Sequence, residues 1–334
     1  MLLVVAAGVP SLAQEGGSTD ADLNNFQREL RHVQAKHLER ELRQVPAMHL
    51  AWPTHAGMLA VTAAGARIVA VGDHGTVLLS DDAGRTYRQA REVPTRVLLT
   101  SVCFIDDQQG WAVGHWGVVL HTQDGGETWK LLRQDTAVDQ PLFSVYFTDR
   151  SNGLAVGLWS LTLRTTDGGL SWTPIKMPPL PGGDEAGPSL FQIFRSRDGA
   201  LFIAAEQGAV FRSNDAGLSW KLLKTGSHGS FWSGVGLPDG SVLVAGLNGK
   251  VLRSNDDGET WVDVETGVNS SITALTQTAD GGVLGVGLEG AVIDSRDGVH
   301  FTAHPRADRA ALTAALGSPR GPRLFSMAGV VEPN

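Results

Sequence analysis

The chain has 334 residues, with 41 glycines, nine tryptophans and 19% charged side chains, a composition suited to an all-β protein full of tight turns. Its net charge of −8 and the absence of a basic cluster remove any electrostatic footing for nucleic acid. A single cysteine, Cys103 in the apolar stretch SVCFI, excludes an internal disulfide and reads as a buried, inert thiol.

The chain opens with Leu2 to Val9, an apolar run too short to span a bilayer, followed by Ser11-Leu12-Ala13 as a small-x-small cleavage site. Residues 1–13 read as a secretory signal whose positive n-region is missing, as a trimmed start would leave it. Export to the periplasm or another extracytoplasmic space is therefore expected. In residues 14–45 a polar linker leads into an amphipathic helix, with Leu23, Phe26, Leu30, Val33, Leu38, Leu42 and Val45 at three- and four-residue steps. That helix either packs on the remainder of the chain or docks a partner.

From Pro46 to the end one grammar repeats: strand, polar turn, strand, hairpin, strand, acidic turn, aromatic-led strand. The acidic turn, Ser/Thr-x-Asp-x-Gly-x-Thr/Ser-aromatic, occurs at 80–87, 122–129, 165–172, 213–220 and 254–261, with a shorter copy at 295–301. Its aspartates, Asp82, Asp124, Asp167, Asp215, Asp256 and Asp297, lie 41 to 48 residues apart, the period of a propeller blade. At about 42 residues per unit, residues 46–334 predict a seven-bladed β-propeller of four-stranded antiparallel blades, with six blades as the alternative. The seventh blade has no acidic turn, and its missing outer strand is expected from Ala47–Trp52, which would close the ring. The Pro- and Gly-rich stretch 173–189 accounts for the longest step and is expected as a loop over one face.

The acidic turn needs no chemistry beyond folding. Its hydroxyl and carboxylate can accept backbone N–H groups, its glycine supplies a positive φ, and its aromatic residue buries a ring. Six structural copies are the opposite of a single catalytic site.

These turns, with hairpins such as AVGHWGVV (112–119) and AVGDHGTV (70–77), are those of the BNR/Asp-box propellers. The combined pattern most closely resembles the photosystem II stability/assembly factor family over residues 50–330. The resemblance implies a non-catalytic propeller that engages a membrane subunit, acting in the lumen where the host is photosynthetic. It also implies bacterial relatives that are exported, some of them associated with RND-type transporters.

A partner would meet the hairpins between second and third strands, opposite the Asp turns. That slot holds Asp73 and His74, His115 and Trp116, Trp159, Glu206 and Gln207, Asn248, and Glu289. Trp116 and Trp159 are the candidate anchors; the bland reading packs each ring on the neighbouring blade. Phe231-Trp232 either extends this patch or belongs to first-strand core. No metal or cofactor is implied, because His74 and His115 lack ligand spacing. A sialidase would need a free tyrosine, and Tyr87 and Tyr146 both occupy structural slots. The expected protein is a monomeric accessory factor for a membrane or envelope protein; a glycan-binding protein or glycoside hydrolase of the Asp-box class is the alternative.

Overall fold

The computed structural model describes residues 45–332 except 136, 183, 184, 319 and 320. The signal segment and the helix expected before residue 45 lie outside the described residues. Seven antiparallel sheets follow in chain order, spanning 58–89, 99–133, 142–174, 190–223, 231–264, 272–303 and 312–331. Each inner strand packs against the next, and Met58–Ala64 meets Leu312–Leu316, so the ring closes at seven blades and not six. Second strands such as Gly110–Gly114, Gly153–Gly157 and Leu201–Ala205 are buried along their whole length, which explains their unbroken apolar runs.

The Asp turns join third to fourth strands. In blade two the Asp124 carboxylate accepts the Thr128 N–H at 2.9 Å, the Thr128 hydroxyl at 2.6 Å and the Thr122 hydroxyl at 2.8 Å. The Gly126 N–H donates to Thr122 Oγ1 at 3.0 Å, and Trp129 Nε1 donates to the Gly126 carbonyl at 2.9 Å. The short sixth copy substitutes His300 for the hydroxyl, with Nδ1 2.7 Å from Asp297 Oδ2.

Each turn also clamps the blade before it. The turn glycines have positive φ, and a Cβ on Gly217 would strike Leu154, on Gly258 Leu223, and on Gly298 Leu237, all one blade back. Side chains on the inner strands lace the same seams. Thr100 Oγ1 donates to the Leu142 carbonyl at 2.6 Å, the Ile193 N–H to Ser144 Oγ at 3.0 Å, and the Leu275 N–H to Ser233 Oγ at 2.8 Å.

Closure differs from expectation. Among the described residues blade seven has three strands, ending with Gly329–Val331, and Ala47–Trp52 does not complete it. That segment runs along the outside of blade one, where the Ala47 N–H donates to the Val93 carbonyl at 2.9 Å and the Leu50 N–H to Gln89 Oε1 at 3.0 Å. Pro53 then starts a 3-10 turn, Pro53–His55, and has no N–H to give a ladder. The ring is shut instead by Thr313, whose hydroxyl donates to the Met58 carbonyl, and by Arg323, whose Nε donates to the Ala83 carbonyl at 2.8 Å. A smaller departure concerns Thr173–Pro174, which does pair with the third strand of its blade. Proline is tolerated there because the strand is an edge.

Two predictions follow from the Asp turns. Asp124→Ala should cost about 1–2 kcal/mol in chemical denaturation through lost hydrogen bonds. The second concerns acid. Hydroxyl and backbone donors hold Asp167, Asp215 and Asp256 down at about 2, and Asp82 and Asp297 lower still. Their unfolded value is about 3.9, so the turns contribute fully above that pH and lose their contribution as pH falls towards about 2. Melting temperature should drop over that window, and the drop should be shallower in Asp167→Asn.

Candidate functional site

Hairpins between second and third strands form the face opposite the Asp turns, and those of blades one to six share one conformation. Each places one residue in the left-handed region: His74, Trp116, Trp159, Gln207, Asn248 and Glu289. Five of the six follow it with a second left-handed residue that is glycine, as a two-residue turn demands. Glycine is required there for a further reason, because the connection from the fourth strand passes directly over the turn. A Cβ on Gly75 would collide with the Thr95 carbonyl, on Gly208 with that of Ser227, and on Gly249 with that of Val268.

Blade three breaks the rule with Ser160, at φ 55°. Its outgoing connection is the long loop 175–189, which leaves space for a side chain. The loop is held by that serine, whose N–H donates to the Pro188 carbonyl at 2.8 Å and whose hydroxyl donates to the same atom at 3.2 Å. Met177 of the loop is buried in the core cluster between blades three and four. The glycine-to-serine change and the lengthened loop are thus one adaptation.

The predicted face residues divide by environment. Trp159 is 51% exposed and His74, Gln207 and Asn248 are also exposed, so these four are presented to solvent. Trp116 is 9% exposed and joins the core cluster that includes Val93 and Val97, and its N–H donates to Asp139 Oδ1 at 2.8 Å. The expectation of Trp116 as a docking anchor is therefore corrected. Ala90, Val93 and Val97 of the connection entering blade two share that core cluster, whereas the connection entering blade three carries Asp135, Asp139 and Gln140. Glu206 is engaged internally, its Oε2 accepting the Ser189 N–H at 2.7 Å. Asp73 accepts the turn's Thr76 N–H on its carbonyl, and its own N–H donates to Gly57. His115 faces Asp139 at 3.5 Å, and Glu289 pairs with Arg309 at 2.8 Å.

The structure adds residues that the hairpin pattern did not indicate. All seven inner strands carry an irregularity at their second residue: Leu59, Thr100, Phe143, Phe191, Trp232, Thr273 and Thr313. These residues line the mouth of a central channel of about 550 Å³, on the hairpin side. Blades three to five contribute an aromatic arc, with Phe143 and Phe191 stacked at 5.7 Å and Trp232 beyond them. Where the residue is Thr100 or Thr273, its hydroxyl instead bonds the next blade. Phe231 is core and Trp232 lines the channel, so each half of that pair takes one of the two roles offered for it. Aligning Leu-Phe, Leu-Phe and Phe-Trp against Leu-Thr and Ile-Thr at strand starts would have revealed the arc.

Burial pushes the Tyr87 phenol up to about 12 and Tyr146 in the same direction. It also pushes the Cys103 thiol up to about 12. Among the described residues no group of three His, Cys, Asp or Glu side chains could hold a metal ion.

Residues 88–234 match the family model described as photosynthesis system II assembly factor YCF48. That segment, less than half of the chain, resembles the photosystem II assembly factor propellers. A solved structure of YCF48 bound to D1 peptide is similar at 20% identity and TM-score 0.68, over 86% of this chain and 97% of that one. YCF48 from Cyanidioschyzon merolae is similar at 17% identity and TM-score 0.66, over 86% and 97%. Virginiamycin B lyase from Staphylococcus aureus reaches TM-score 0.70 at 13% identity, over 85% and 96%, which shows a shared fold and carries no activity to this chain. No curated protein matches. The matched segment contains Trp116, Trp159, Phe143, Phe191, Trp232 and the loop 175–189.

The hairpin geometry generates a paired prediction. Gly208→Ala should destabilise by about 2 kcal/mol or more, since the new Cβ meets backbone. Ser160→Gly should stay within about 1 kcal/mol of wild type in the same denaturation assay, because relief of left-handed strain offsets a lost hydrogen bond.

Proposed function

We propose that this propeller is a non-catalytic assembly or stability factor that holds an extended segment of a membrane or envelope protein against its hairpin face. The observation that carries the reading is exposed Trp159, beside the anchored loop and the aromatic arc at the channel mouth. An aromatic ring half in water, on a rigid turn, supplies contact area at little entropic cost, which is what interface anchors provide. The family match supports the assembly-factor class, and YCF48 holding a D1 peptide supports a peptide segment as the thing bound. The apolar start of the sequence supports export, so the client would be met outside the cytoplasm.

The two tryptophans separate function from folding. Trp159→Ala should abolish capture of the client from detergent-solubilised host membranes, read by mass spectrometry, with an unchanged melting temperature. Trp116→Ala should instead cost about 3 kcal/mol or more of stability, as a buried ring does. Full client capture by Trp159→Ala would show that the hairpin face is not the docking surface.

A further inference from the structure

Blade seven stops at Gly329–Val331, and among the described residues that strand pairs only with Arg323–Ser326. The other six blades are covered outside by a fourth strand. Blade seven also has no Asp turn, so the seam with blade six lacks the glycine clamp of the other seams. In place of both features lies a cleft of about 740 Å³, walled by blades six, seven and one. Its size falls in the range of about 300–1,000 Å³ usual for ligand sites.

The lining of this cleft is cationic in a chain of net charge −8. Arg85, Arg306 and Arg323 line it together with His55 and His304, against one carboxylate, Glu332. Asp308 pairs with Arg306 at 2.6 Å and offsets its charge, so Arg85 and Arg323 are the cations that face the cleft. The Tyr87 hydroxyl, also in the lining, is buried and has no hydrogen-bond partner. Thr54 and His55 lie against Gly329, and beyond them, among the described residues, the edge at Val330 and Val331 offers main-chain donors and acceptors beside a basic wall.

We propose that this cleft is a second binding site, which takes an extended acidic peptide as the missing fourth strand of blade seven. The peptide's backbone pairs with Val330 and Val331 and its carboxylates face Arg85 and Arg323. The site lies on the outer rim, away from the hairpin face, and is independent of the docking surface proposed there.

The test uses the full chain and a fluorescein-labelled peptide of alternating threonine and glutamate, read by anisotropy. The alternating threonine and lysine peptide is the control. Expected results are saturable binding of the acidic peptide only, weakening by about tenfold in Arg85→Glu, and loss on N-methylation of alternate peptide nitrogens. Trp159→Ala should leave this binding unchanged. Equal binding of the two peptides, no binding of either, or undiminished binding of the N-methylated peptide would overturn the proposal. So would sedimentation of the free protein as a dimer that Arg85→Glu converts to monomer, because the occupant would then be a second copy.

Discussion

The propeller depends on a glycine pressed against its neighbour. Each Asp turn closes on itself through a carboxylate that gathers backbone and hydroxyl donors, and that closure drives the turn's glycine onto a side chain of the preceding blade. This contact acts beside the apolar packing between blades, such as Trp111 of blade two stacked on Phe147 of blade three. The turn is therefore both hairpin and fastener. Blade seven has no such turn, and a cleft of about 740 Å³ opens on its outer flank.

The opposite face is governed by crowding of a different kind. Connections between blades run across the hairpins, so the hairpins must be flat, and glycine makes them so. The constraint relaxes only at blade three, where the longer connection allows Ser160 and is anchored by it. The same place carries the exposed Trp159, and the aromatic arc begins on that blade's inner strand. Recognition features thus collect where the packing rule is loosened.

Much of the scaffold was legible in the residues. The aspartate period gave seven units, and each turn's hydrogen bonds follow from residues within a few positions of one another. The same reasoning found the hairpin face but treated Trp116 and Trp159 alike, because both occupy the same slot of the same turn. Their fates differ through the chain around them: Trp116 joins a core cluster with Val93 and Val97, whereas Trp159 stays in water. Of the arc, Trp232 was offered as an extension of that face, whereas Phe143 and Phe191 were missed because a strand irregularity turns them into the channel, and period alone does not mark it.

By itself, the sequence determined the all-β propeller, its turns and the orientation of its two faces, since each rests on contacts between residues close in the chain. Only the tertiary structure decided how the ring closes, which tryptophan stays in water and where a sheet edge is left open. Those outcomes depend on residues far apart in sequence, such as Ala83 and Arg323 or Met58 and Thr313, whose meeting no local pattern records.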